Sequence, residues 1–160
     1  MSSIFSKIIN REIPSYIVAE NEKFLAFLDI YPLTKGHTLV IPKLEIDYYF
    51  DIQDELFNEM NIFSKKVAIG IEKAITCKRI GVSVIGLEVP HAHIHLIPIN
   101  SISDMNFSNP KLELTEKEFL AIEEEIKKVQ NQQKILTEKE KELEKLATEK
   151  DWEEVDKENK

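Results

Sequence analysis

The chain of 160 residues contains one cysteine, four glycines and one tryptophan. With Cys77 alone, no internal disulfide can form, so the fold rests on its core and a reducing compartment suits it. Apolar residues never run for the roughly 20 positions that a helix needs to cross a bilayer, and the start, Met1 to Lys7, lacks an apolar stretch of signal-peptide length. A cytoplasmic protein without membrane contact is expected. Positive charge is also scarce: 21 Lys and Arg stand against 29 Asp and Glu, for a net charge of −8. That balance argues against duplex nucleic acid as a partner, because its phosphates need a basic surface. A small anionic nucleotide needs only a local site and remains open.

A hydrophobic content of 42% suffices for one sizeable core. Charge is distributed unevenly. Residues 1–110 carry 13 acidic and 10 basic side chains, whereas the much shorter 111–160 carries 16 and 11. A globular domain over 1–110 followed by a charged helical extension over 111–160 is therefore expected.

Within the first part, residues 4–9 read as a short helical turn. Tyr16–Ala19, Phe24–Leu28, His37–Ile41, Ile80–Ile85 and Val89–Ile97 read as strands, the second and third separated by the turn at Pro32–Gly36. Leu56, Met60, Phe63, Val67 and Ile71 recur with helical spacing from about Gln53 to Ile75, with Asp54 as the expected N-cap. Short links and one long helix predict an α+β domain, an antiparallel sheet of about five strands with a central helix. In the extension, Thr115-Glu116-Lys117-Glu118 is a capping box that opens a helix. The same Leu-Thr-Glu-Lys-Glu string returns at Leu136–Glu140, as a second cap or as part of one long helix. Continuing the face of Phe119, Ile122, Ile126 and Val129 puts Gln133 and Glu140 in the seam, which weakens a coiled coil but leaves room for a protein partner.

Three of the four histidines lie in His91-Ala92-His93-Ile94-His95-Leu96-Ile97. On a strand, alternation puts His91, His93 and His95 on one face and Ala92, Ile94 and Leu96 on the other. Imidazole changes charge near neutral pH and serves as nucleophile, acid or hydrogen-bond donor, so such a row suits phosphoryl or nucleotidyl transfer. The α-carbons of His91 and His95 would be about 13 Å apart, too far for all three rings to close on one zinc ion, although two could share a metal.

This stretch resembles the histidine triad (HIT) signature, in which three histidines alternate with apolar residues. A second segment, Phe27-Leu28-Asp29-Ile30-Tyr31-Pro32 with Gly36-His37-Thr38-Leu39-Val40-Ile41-Pro42-Lys43, is similar to the nucleotide-binding half of that family, and Ile4–Ile9 with Glu12-Ile13-Pro14 agrees. The resemblance implies a HIT-like fold and a nucleotide hydrolase of the phosphoramidase branch. Such an enzyme would cleave at the α-phosphate of nucleoside 5′-phosphate derivatives through a nucleotidyl-histidine intermediate. His93 is then the nucleophile, His91 orients it, and His95 and His37 donate to phosphate oxygens or the leaving group. Asp29 would accept from ribose hydroxyls, Phe27 and Ile30 would line the base pocket, and Gly86 would let the backbone approach phosphate. Quieter roles exist: Asp29 as a turn cap, His37 as a strand histidine, Phe27 as core. A purine nucleotide and a second copy of the chain are the expected partners, and no cofactor is expected.

The chain also departs from the pattern. Leu87 and Glu88 stand where many relatives carry a glutamine and a small hydroxyl residue that donate near the phosphate. Leu87 cannot donate, and an ionised Glu88 would repel it. Some bacterial relatives bind structural zinc through a Cys-x-x-Cys pair and a histidine after Ile-Pro-Lys. Here Ser3, Ser6 and Glu45 fill those places, so no structural metal is expected. A dinucleoside polyphosphate hydrolase, or a nucleotide-binding scaffold with blunted catalysis, are the alternatives.

Overall fold

A computed structural model describes residues 2–158. Five strands form one antiparallel sheet in the order β1-β2-β3-β5-β4: β1 Ile17–Glu20, β2 Phe24–Leu28, β3 Thr38–Pro42, β4 Arg79–Ser83 and β5 Ile94–Ile99. Three α-helices cover it: α1 Ile4–Ile9, α2 Asp54–Ala74 and α3 Glu116–Glu158. The α+β architecture expected from the sequence is the one observed.

Both faces of the sheet are covered, which explains why β2 and β3 read as continuous apolar runs rather than alternating ones. Phe24, Ala26, Leu28 and Val40 pack with Met60, Val67 and Ile71 of α2 and with Phe119, Ile122 and Ile126 of α3. On the opposite face, Leu25, Phe27, Leu39 and Ile41 pack beneath Phe5 and Ile8 of α1. Small α1 thus closes the face from which the histidines project.

The N-cap of α2 is Gln53, without a side-chain cap bond, and Asp54 is the first helical residue. This corrects the expectation for Asp54, whose carboxylate, with Glu55, faces the positive end of the helix dipole from within the first turn. Thr115 does cap α3, its Oγ1 accepting from the Glu118 amide at 3.2 Å. The second Leu-Thr-Glu-Lys-Glu string starts nothing new: Thr137 Oγ1 donates to the Gln133 carbonyl inside one continuous helix.

The strand of the triad is also displaced. The sequence places it over Val89–Ile97, but it runs over Ile94–Ile99 and includes Pro98. Two prolines explain this. The β3–β5 ladder pairs Val40 with Ile94, and continuing that register would set Pro42, which has no N–H, opposite Ala92. The Ala92 amide turns instead to the Ile46 carbonyl at 2.7 Å. Pro98 is tolerated because it lies beyond Leu96, the last β5 residue paired to β3. Its carbonyl accepts from Thr34 Oγ1 at 2.7 Å.

Candidate functional site

All four histidines gather on one side of the sheet at the junction of β3 and β5. His91 is fully buried, and His37, His93 and His95 are 2%, 7% and 8% exposed. The rings of His93 and His95 are 4.9 Å apart between centroids, and those of His37 and His95 5.2 Å. Although His91 and His93 precede the strand, alternation holds, since Ala92, Ile94 and Leu96 enter the core on the far face.

Backbone partners decide which nitrogen of each singly protonated ring carries its proton, because a carbonyl only accepts and an amide N–H only donates. His91 Nε2 lies 2.8 Å from the Pro42 carbonyl and donates to it, which leaves Nδ1 to accept from Ser3 Oγ at 3.0 Å. His93 Nδ1 donates to the His91 carbonyl at 2.7 Å, so its Nε2 keeps a free lone pair. His37 Nδ1 accepts from the Leu33 amide at 3.0 Å, so its Nε2–H donates to His95 Nδ1 at 2.9 Å. His95 in turn carries its proton on Nε2. The outcome is one imidazole with an available lone pair beside one with an available N–H.

Burial is the main reason the rings of His37, His93 and His95 stay neutral. It lowers His37 to about 3 and His95 to about 4, each depressed further by neighbouring imidazoles. His93 is also lowered by burial, a shift that its bond to the His91 carbonyl opposes. Burial pushes Asp29 the other way, up to about 6, against the pull of the Tyr31 amide. Asp29 Oδ2 lies 3.6 Å from His37 Nε2, and with His37 neutral this contact is dipolar rather than an ion pair.

Asp29, His37 and His95 offer one ligand atom each within 4.8 Å of one another. They make a poor metal cage, because both His37 nitrogens are engaged and His37 Nε2–H already occupies His95 Nδ1.

Asp29 follows β2 and takes two roles at once, its Oδ1 accepting from the Tyr31 amide at 2.9 Å while Oδ2 faces the histidines. Ile30 beside it is 52% exposed, an apolar surface at the mouth of the site. Phe27 is buried in the second core and meets Phe5 edge to face, with ring centroids 5.5 Å apart. Gly86 has a left-handed φ of 74°, and a Cβ there would meet nothing within 4 Å. Gly36, which delivers His37, combines a φ of 92° with a close approach, since a Cβ would lie 3.0 Å from Ile75 and 3.2 Å from Pro98.

Three neighbours escaped the sequence reading. Phe5 packs edge to face on His93 at 5.1 Å, Phe107 does so on His95 at 5.0 Å, and Lys111 sets a positive charge near Asp29 and His37. The available signal for Phe107 was an isolated aromatic in the polar run Asn106–Pro110. The Leu112 amide, bonded to the Pro32 carbonyl at 2.9 Å, holds this segment beside the Asp29 loop.

An alternating histidine row on one face of an antiparallel sheet, with each ring held by a backbone group or a neighbouring imidazole, defines a histidine triad protein. Residues 10–102 match the HIT domain, and the chain belongs to the HIT family. It is 37% identical over 129 residues to the adenosine 5′-monophosphoramidase hnt1 of Schizosaccharomyces pombe, covering 79% of this chain and 96% of that one. It is 40% identical over 102 residues to an uncharacterized HIT-like protein of Borreliella burgdorferi, covering 59% and 73%. Its fold superposes with a TM-score of 0.69 on a hypothetical histidine triad nucleotide-binding protein from Sulfolobus tokodaii, at 30% identity and covering 80% and 91%.

Proposed function

We propose that the chain hydrolyses nucleoside 5′-phosphate derivatives at the α-phosphorus, with purine phosphoramidates and related nucleotidyl conjugates as substrates. The observation that carries this reading is the pairing of a free His93 Nε2 lone pair with an outward His95 Nε2–H, both in neutral rings. The His93 lone pair attacks phosphorus, and the leaving amine departs with the electrons of its P–N bond and a proton from solvent. Water then attacks the nucleotidyl-imidazole, releases nucleoside monophosphate and restores His93. His95 Nε2–H bonds to the phosphoryl oxygens, and its advantage grows as charge grows on them. His37 fixes His95 from behind. Asp29 accepts from the ribose hydroxyls, Ile30 and Phe27 support the base, and the turn at Gly86 brings backbone towards the phosphate.

A second reading, binding with weak turnover, has one observation in its favour. Leu87 is 88% exposed and offers no donor, and the Glu88 charge is felt at both Asp29 and His93. The two readings separate in one assay, AMP release from adenosine 5′-phosphoramidate and from diadenosine triphosphate. Faster cleavage of the phosphoramidate supports the reading preferred here, and faster cleavage of the triphosphate makes the chain a dinucleoside polyphosphate hydrolase. Nucleotide binding without release of AMP from either makes it a binding protein.

We further infer a cytoplasmic homodimer. Among the described residues no helix is long and apolar enough to cross a membrane. The edge strand β4 and helix α2 leave Val82 and Ile69 exposed around a groove lined by Ala68, Ile80 and Leu96, a surface suited to a second copy.

A further inference from the structure

Ser3, Ser6, Glu45 and His91 meet where α1, the segment after β3 and the triad converge. Ser3 is 6% exposed and is the N-cap of α1, its Oγ accepting from the Ser6 amide at 3.1 Å. The same hydroxyl donates to His91 Nδ1. Ser6 Oγ lies 3.3 Å from Ser3 Oγ. The Ser3 amide donates to Glu45 Oε1 at 2.9 Å. This amide and the Ser6 hydroxyl hold the Glu45 carboxyl below its usual range. A path therefore runs from an exposed carboxylate through the amide and the hydroxyl of Ser3 to a fully buried ring, with the Ser6 hydroxyl beside both ends of Ser3.

The group does not fit zinc. A closed zinc site takes four thiolate, imidazole or carboxylate ligands. Two of the four groups here are hydroxyls, and His91 Nδ1 is already held by one of them.

We propose that Ser3, Ser6 and Glu45 form a positioning network for the His93 nucleophile. Both His91 nitrogens are bonded, to Ser3 and to the Pro42 carbonyl, so the ring has one orientation. The backbone of that residue presents the carbonyl that takes the His93 Nδ1 proton and aims Nε2 outward. The clamp of Glu45 on the Ser3 amide also seats α1, whose Phe5 packs against the rings of His91 and His93 at 5.9 and 5.1 Å. These three residues do not touch substrate; they act through His91.

The inference deepens the hydrolase reading and rests on it for its kinetics, so its test has a second readout. Ser3→Gly removes the hydroxyl, yet glycine is well tolerated at an N-cap, and Ser3→Thr keeps both cap and donor. In nitrogen-15 spectra of the full chain, Ser3→Gly is expected to move the His91 Nδ1 resonance towards that of an unbonded nitrogen and to broaden the His93 Nδ1–H signal. Glu45→Gln should move both part of the way. For phosphoramidate hydrolysis, Ser3→Gly should lower kcat roughly tenfold with KM within about twofold, and Ser3→Thr should restore it. Wild-type histidine spectra in Ser3→Gly, or stoichiometric zinc in tag-free protein, would overturn the network; wild-type spectra in Glu45→Gln would remove Glu45 from it. Should the wild type hydrolyse neither substrate, the hydrolase reading fails while the spectra still decide the network.

Discussion

At the scale of single residues the site is governed by where protons sit rather than by how many charges are present. A nucleophilic imidazole must be neutral, and burial keeps His93 so below its ordinary value of 6.5. Turnover should therefore be flat from about pH 7 to 9 and fall as acid protonates His93. Asp29, raised to about 6, loses its charge over part of the same range, so KM should rise below pH 6 as ribose hydroxyls lose a charged acceptor. A pH series of kcat and KM separates the two, and activity that rose on acidification would contradict both assignments. Glu88 offers the complementary test. Its charge opposes an incoming phosphate, so Glu88→Gln should lower KM for an anionic nucleotide severalfold and less so at high salt, where exposed charges are screened. An increased KM would assign Glu88 a binding role instead.

Among the elements, α3 serves two purposes along one length. Phe119, Ile122 and Ile126 are buried against the sheet and α2, and Tyr16 of the β1 edge stacks on Phe119 with centroids 4.8 Å apart. Further on, Leu136, Leu143 and Leu146 are 60%, 66% and 48% exposed. Ile126→Ala should thus cost about 2–5 kcal/mol in denaturant unfolding, whereas Leu143→Ala should stay within about 0.5 kcal/mol. Equal losses would mean that the outer half is packed in solution, against a protein partner or a second copy.

The elements also show what the sequence carried. Helical spacing in α2 and apolar runs in β2 and β3 were legible because a core selects them directly. The start of β5 was not, because it depends on Pro42, about fifty residues earlier, meeting Ala92 across the sheet, and such pairing leaves no local mark. Site residues fared similarly. The four histidines announce themselves by alternation and by the glycine turn before His37. Phe5, Phe107 and Lys111 reach the site only through tertiary packing.

For the whole molecule, stability draws on the same buried imidazoles to which the proposed chemistry is assigned. Depressed groups contribute stability that is complete above their unfolded value near 6.5 and lost as pH falls towards the folded values, about 4 for His95 and about 3 for His37. Asp29 acts in the opposite sense, its contribution lost as pH rises from 3.8 to about 6. Three imidazoles outweigh one carboxyl, so the denaturation midpoint should fall steadily between pH 6.5 and 4. A midpoint that held or rose there would contradict the buried neutral rings of His37, His93 and His95. Bound nucleotide should offset part of the loss, since an anion in the site favours the protonated rings.

The central claim is that His93 is the group that attacks phosphorus, and the most direct measurement compares AMP release from adenosine 5′-phosphoramidate by the wild type and by folded His93→Ala. Wild-type turnover is expected, with a loss of more than about a hundredfold in the variant and nucleotide binding retained. Turnover within a few-fold of wild type in His93→Ala would contradict it.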